Sequence, residues 1–244
     1  MGESNPDRTT PDRNARQGSS GIPAGLLAAL VVGLLALFGI GTRYYVSGDF
    51  NVIHCLFSLF FSTNLLICYW EACLFLRRDH VKPRAEYWRR RQRETGRTPA
   101  VEFLSTRVPL RRILSPTVWA DVWATYSMID AAYSDRRSFG FTADIGNGFV
   151  TPVPTLLLYA AYTIDFVPAV VAGILGLMLF WQWVYVSSLY WVSFFVAGGR
   201  KHITRSELYT YVFALNSVWV LCPLLGVYLS LRLILDADYS VLGY

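Results

Sequence analysis

Apolar residues run almost unbroken through five stretches of the chain, and charged residues gather in the segments between them. The runs predict transmembrane helices at Ile22–Ile40, Val52–Leu76, Phe141–Thr163, Val167–Val196 and Leu208–Leu233. Each is near or above the ~20 residues that cross a hydrocarbon core of ~30 Å. The fourth and fifth are long enough to tilt or to project past the bilayer. Pro116–Tyr133 has another pattern. Trp119, Trp123, Tyr126, Asp130 and Tyr133 recur at helical spacing, which predicts one amphipathic helix with an aromatic face. Such a face suits a membrane interface, but a carboxylate in its middle does not.

The predicted fold class is therefore all-α, a polytopic membrane helical bundle of about five transmembrane helices forming one domain over residues 21–244. Composition agrees: 54% of residues are hydrophobic and 16% charged, against about 25% charged in soluble domains. Residues 1–20 are polar and without apolar periodicity, and predict a disordered cytoplasmic tail. They do not resemble a signal peptide, because the first apolar run starts near residue 22 and is too long.

Charge sets the orientation. Twelve Lys and Arg residues lie between Arg77 and Arg112, within a basic loop spanning 77–118. The positive-inside rule places this loop in the cytoplasm, together with the N-terminus and the Arg200-Lys201-His202 turn. The Arg43 loop, the Asp165 turn and the tail from Asp236 fall on the other side. That orientation suits the endoplasmic reticulum in a eukaryote and the inner membrane in a bacterium. Nucleic acid is not an expected partner: net charge is only +5, and topology and anionic lipid explain juxtamembrane arginines. The expected partners are membrane lipid and a hydrophobic small molecule, and a homodimer is compatible with the pattern. Cys55, Cys68, Cys73 and Cys222 sit in apolar runs without CxxC spacing and read as small hydrophobes. No metal box, P-loop, GxSxG or HExxH is present, so neither a metal nor a cofactor is expected.

The chemistry candidates are the polar groups inside the apolar runs. Glu71, Asp144, Asn147 and Asn216 each carry a desolvation cost, about 2.5–3.5 kcal/mol for an Asp at a helix centre. Asp144 and Asn147 are three residues apart and share a helix face. Pro152 and Pro154 follow, and remove backbone donors where a kink would open space. Asn216 and Trp219 share a face, with Pro223 a turn further. The fourth run carries Gln182, Trp183, Tyr185, Ser187, Ser188, Tyr190 and Trp191, a density of hydroxyl and aromatic groups that suits a pocket for a bulky apolar ligand. Each residue also has a plainer reading. Asp144 could be interfacial and paired to Arg136 or Arg137, Glu71 could pair with Arg77 or Arg78, His54 could be interfacial, and Trp219 could fill a gap. Taken together, carboxylates and aromatic faces around an apolar cavity suit protonation of an alkene, stabilisation of the carbocation and removal of a neighbouring proton.

Trp123-x-x-Tyr126-x-x-x-Asp130-x-x-Tyr133, followed by Phe139, Asp144 and Pro152, resembles the emopamil-binding protein group. That group belongs to the EXPERA superfamily, which includes sterol double-bond isomerases and the sigma-2 receptor. Gln182 with Ser188-Leu189-Tyr190-Trp191, and Tyr209-x-Tyr211-x-Phe213-x-x-Asn216-x-x-Trp219-x-x-x-Pro223, are similar to the family's fourth and fifth spans. The resemblance covers about residues 119–225. It implies an EXPERA-like bundle with a pocket open toward the membrane. It further implies that Asp144 stands for a catalytic Glu, with Glu71 and Asn216 beside it in catalysis. Trp219, Trp123, Tyr126, Asp130, Tyr133, Asn147, Gln182 and Tyr190 would bind substrate. The activity implied is an isomerase, or a cyclase using the same cation chemistry, acting on a double bond of a sterol or terpenoid lipid. The alternative is a non-catalytic binder of sterol or cationic amphiphile. This chain departs from the family at Ile67, which stands where the family has His one turn before its Glu, and at Ser187, which stands for an Asp. The Arg-rich loop is also an insertion.

Overall fold

The computed structural model describes residues 21–243; the expected disordered tail, residues 1–20, lies outside them. The chain is an all-α helical membrane bundle with one short two-stranded sheet. Strand β1 (Gly21–Pro23) leads into α1 (Ala24–Ser47), followed by α2 (Val52–Leu76), α3 (Arg78–Thr95), α4 (Pro99–Ser105), strand β2 (Arg107–Pro109), α5 (Pro116–Tyr126), α6 (Phe139–Val150), α7 (Pro152–Ile164) and α8 (Ala169–Val196). The last long helix, α9, spans Arg205–Asp236 and contains a π-helical stretch, Leu208–Ala214.

Among the described residues four helices are long and apolar enough to cross a membrane: α1, α2, α8 and α9. Their ends follow local chemistry. Asn51 caps α2 by accepting from His54 N–H at 3.0 Å, and Gly48 ends α1 at φ 70°, a conformation that favours glycine. Thr204 and Glu207 form a reciprocal capping box at the start of α9. The expected third span is instead two helices meeting at Thr151. Pro152 and Pro154 lack the N–H groups that would continue α6, and Pro152 starts α7 at a position where that loss costs nothing.

Close helix contact depends on small residues, because lipid tails supply no hydrophobic drive between helices. A Cβ on Gly226 of α9 would stand 2.6 Å from the Phe180 ring of α8, so glycine lets that ring lie against the α9 backbone.

The two ends of the bundle divide as charge predicts. β1 pairs with β2 in antiparallel register, Ile22 opposite Val108, so the start of α1 lies with the basic segment. The opposite end gathers Arg43, His54, Thr163 and Leu242. Four further expectations are corrected here. The segment 77–118 is largely helical rather than a solvated loop. Its Val81, Ala85, Trp88 and Phe103 are buried, and Arg84 holds Asp121 of α5 through two bonds of 2.8 and 2.5 Å. Arg43 is not in a loop either. Helix α1 continues through it, and its buried guanidinium donates to the Tyr162 and Leu242 carbonyls at 3.3 and 2.6 Å. The amphipathic helix ends at Tyr126 rather than Tyr133. Asp130 caps a separate 3-10 turn, Ala131–Ser134, by accepting from Ala132 N–H. His54, read as interfacial, is buried and bonded to Thr163 and Ser58.

Candidate functional site

A cavity of about 290 Å³ lies between α2, α5, α6, α8 and α9. Its wall is mostly apolar, and two carboxylates enter it. Nine residues singled out in the sequence line it: Glu71, Trp123, Tyr126, Tyr133, Asp144, Asn147, Tyr190, Asn216 and Trp219. Each helix contributes through its period. Ile67, Trp70 and Glu71 share one face of α2, and Trp183, Val186, Ser187 and Tyr190 share one face of α8.

Glu71 is buried and pairs with no arginine. Asn147 Nδ2 donates to its Oε2 at 2.6 Å. The orientation of that amide is set from its other side: Asn147 Oδ1 accepts from Trp183 Nε1 at 3.2 Å and from Thr151 Oγ1 at 3.1 Å. An amide oxygen can take both donors, which leaves the NH₂ group for Glu71. Gly148 makes this contact reachable, since a Cβ there would stand 2.6 Å from Glu71 Cβ. The break at Thr151 serves the same end, for the Thr151 hydroxyl also meets Cys68 Sγ at 3.2 Å and ties the α6–α7 junction to α2.

Asp144 lies on the same face of α6. It is not paired to Arg136 or Arg137: Arg136 binds Asp79, and Arg137 lies 3.7 Å from Asp135. Its neighbours are the Tyr133 hydroxyl and, within electrostatic reach, Glu71. The chain returns to the cavity at Tyr133 after the turn that follows α5. The Tyr133 ring stacks on Trp123 at 5.0 Å and meets Tyr126 edge-on at 5.0 Å. The aromatic face expected of one helix is therefore assembled from a helix and a turn.

The α9 wall rests on the π-helical stretch. Asn216 Nδ2 donates to the Tyr211 and Val212 carbonyls, both at 3.0 Å, which the wider turn leaves short of helical partners. Its amide donors are thus engaged within α9, apart from a 3.4 Å contact to Tyr126 Oη, and the cavity is offered its oxygen. Trp219 gives its N–H to Asn64 Oδ1 at 3.2 Å, so its ring is what the cavity receives. Tyr126 and Tyr190 hydroxyls meet at 3.1 Å.

Two expected residues do not line the cavity. Gln182 is half-buried on a neighbouring face of α8. Asp130 is buried outside the membrane-spanning helices, where burial pushes its carboxyl above the usual range, and it meets the site through the Tyr190 hydroxyl and through its charge, which acts on Asp144. The sequence reading missed Trp70; Trp183 and Ser187 stood in the fourth-run cluster read as suiting a pocket, and Ile67 was noted at the position of the family's His. The i, i+3, i+4, i+7 spacing of Trp183, Val186, Ser187 and Tyr190 was the signal that would have found the α8 face. Ile67 and Ser187, the positions that depart from the EXPERA pattern, both face this cavity. Among the described residues no cluster of His, Cys, Asp and Glu could hold a metal ion. No protein-family model matches the chain, and no curated protein or solved structure compared with it is detectably similar.

Proposed function

We propose that the chain is an intramembrane isomerase or cyclase acting on a carbon–carbon double bond of a sterol or terpenoid lipid, as the EXPERA resemblance implies. The observation that carries this reading is the meeting of Glu71 and Asp144 in one apolar cavity walled by Trp123, Tyr126, Tyr133, Trp183, Tyr190 and Trp219. In this reading Asp144, beside a phenol in an apolar wall, gives a proton to an alkene carbon. The aromatic faces stabilise the cation that results. Glu71 receives an amide N–H on Oε2, and in this reading it removes a proton from a neighbouring carbon. One proton enters and one leaves, so substrate and product have equal mass.

A second reading has an observation of its own. With Ile67 and Ser187 in the wall, the cavity lacks the imidazole and the third carboxylate of the isomerase pattern. Two carboxylates in an aromatic cage would also bind a protonated amine. The test is to identify lipids that co-purify with the protein, then to incubate it with sterols and prenylated aromatics in heavy water. Deuterium in a product otherwise equal in mass to its substrate supports the enzyme. Tight binding of sterol or amine across the panel, with no deuterium uptake, supports the binder.

A further inference from the structure

A second cavity, of about 390 Å³, opens at the basic end of the bundle. It shares Trp70, Val122, Tyr126 and Leu215 with the inner cavity, so the two chambers are separated by one layer of side chains. Tyr126 is tied to the inner side of that layer through Tyr190 and Asn216.

The outer chamber has one fixed cation, Arg89, beside groups that both donate and accept. Arg89 of α3 lines it and makes no ion pair or hydrogen bond among the described residues. Gln92, Thr98 and His202 line it as well. The chamber also holds one acid, Glu207, whose Oε2 accepts from the Thr204 N–H and hydroxyl, both at 2.8 Å. Trp70, in the shared layer, has a buried indole N–H with no acceptor. That N–H is closed off from both chambers, so the donors a ligand head meets in the outer chamber are those of Arg89, Gln92 and His202. The two basic segments of the chain meet around this chamber, which adds a positive field at its mouth.

We infer that the outer chamber binds the oxyanion head, a carboxylate or phosphate, of an amphiphile whose apolar body occupies the inner cavity. This rests on the inner cavity being where the apolar body binds, and not on the bond chemistry proposed there. It narrows the ligand class from any sterol or terpenoid to one bearing an acidic group at one end. Arg89 supplies a planar pair of donors to that group, and the shared layer sets the distance from head to reacting carbon.

The test is binding to the full-length protein in detergent, with geranylgeranyl phosphate, geranylgeraniol, phosphatidic acid and inorganic phosphate as probes. We expect the prenyl phosphate to bind at least ~10-fold tighter than the alcohol, the scale of one charge-assisted hydrogen bond. Arg89→Gln should abolish that preference, and Gln92→Glu, which adds a repelling charge, should reduce it. Both residues are away from the core contacts, so the fold should be unchanged. Trp219→Ala should weaken both prenyl probes alike. Equal affinity for phosphate and alcohol in the unaltered protein, or a preference that survives Arg89→Gln, would overturn the inference. So would binding of inorganic phosphate as tight as that of the prenyl phosphate, which would mark a free-anion site. A phosphatidic acid site insensitive to Trp219→Ala would mark a lipid headgroup resting outside the inner cavity, and would overturn it too. None of these affinities depends on turnover, so a failure to take up deuterium would leave them standing.

Discussion

The two halves of the bundle bury polar groups in opposite ways. At the end away from the basic segments, Phe57, Phe61, Tyr162 and Phe180 interlock, with Phe57 meeting Phe180 at 5.4 Å and Tyr162 at 5.8 Å. The polar groups there bond to one another: Arg43 to backbone carbonyls, His54 to Thr163. At mid-bundle the polar groups are as costly to bury, yet Glu71, Asp144 and Asn216 border empty space. A buried charge held by carbonyls of its own fold, as Arg43 is by Tyr162 and Leu242, reads as structure. A buried carboxylate such as Glu71, held by neutral neighbours and bordering a cavity, reads as a site. Sequence alone reads Arg43 as a loop residue and Glu71 as an ionisable residue in an apolar run; the fold buries both, and only Glu71 borders the cavity.

Breaking each half should therefore give different losses. The largest effect belongs to the site. Glu71→Gln should lower turnover ~10²–10⁴-fold, the usual contribution of a positioned acid or base, with thermal stability unchanged. The Gln carbonyl can still accept from Asn147, and steady-state rates beside melting curves check this. In the solid half, Phe180→Ala should cost ~3–5 kcal/mol, because the ring fills space against Phe57, Phe61 and Gly226. Denaturant titration in detergent measures it, and ligand affinity per folded molecule should not change. Gly148→Ala joins the two regions. Its Cβ must displace α6 from Glu71, at ~1–3 kcal/mol, and should also reduce turnover by separating Asn147 from the carboxylate. The smallest effect should come from Gln182→Ala, within ~0.5 kcal/mol in stability and with unchanged ligand affinity, since that side chain lies off the cavity.

Much of this comparison was legible in the chain. The apolar runs place the four long helices, and Pro152 and Pro154 mark a kink in the third run where the fold has a full break between two helices, because hydropathy and missing backbone donors act locally. Glu71, Asp144, Asn147, Asn216 and Trp219 stand out for the same reason. Long-range partners were not legible. Arg43 looks like a loop residue because the carbonyls that accept from it belong to Tyr162 and Leu242, 119 and 199 positions away. The turn after Tyr126 was hidden because Asp130 and Tyr133 continue a helical spacing that the backbone does not follow. The donor role of Asn147 toward Glu71 depends on Trp183 and Thr151 fixing its amide, and spacing within one helix does not register a bond made between three helices.

The most direct measurement is deuterium uptake into the labelled scaffold by purified protein in heavy water, unaltered and with Asp144→Asn, with ligand binding measured in both. We expect the unaltered protein to label a sterol or terpenoid at one carbon, and Asp144→Asn to bind that lipid with similar affinity while labelling it at least ~100-fold more slowly. Labelling by Asp144→Asn at the unaltered rate would remove this carboxylate from the chemistry. Binding without labelling in both proteins would contradict catalysis in this cavity.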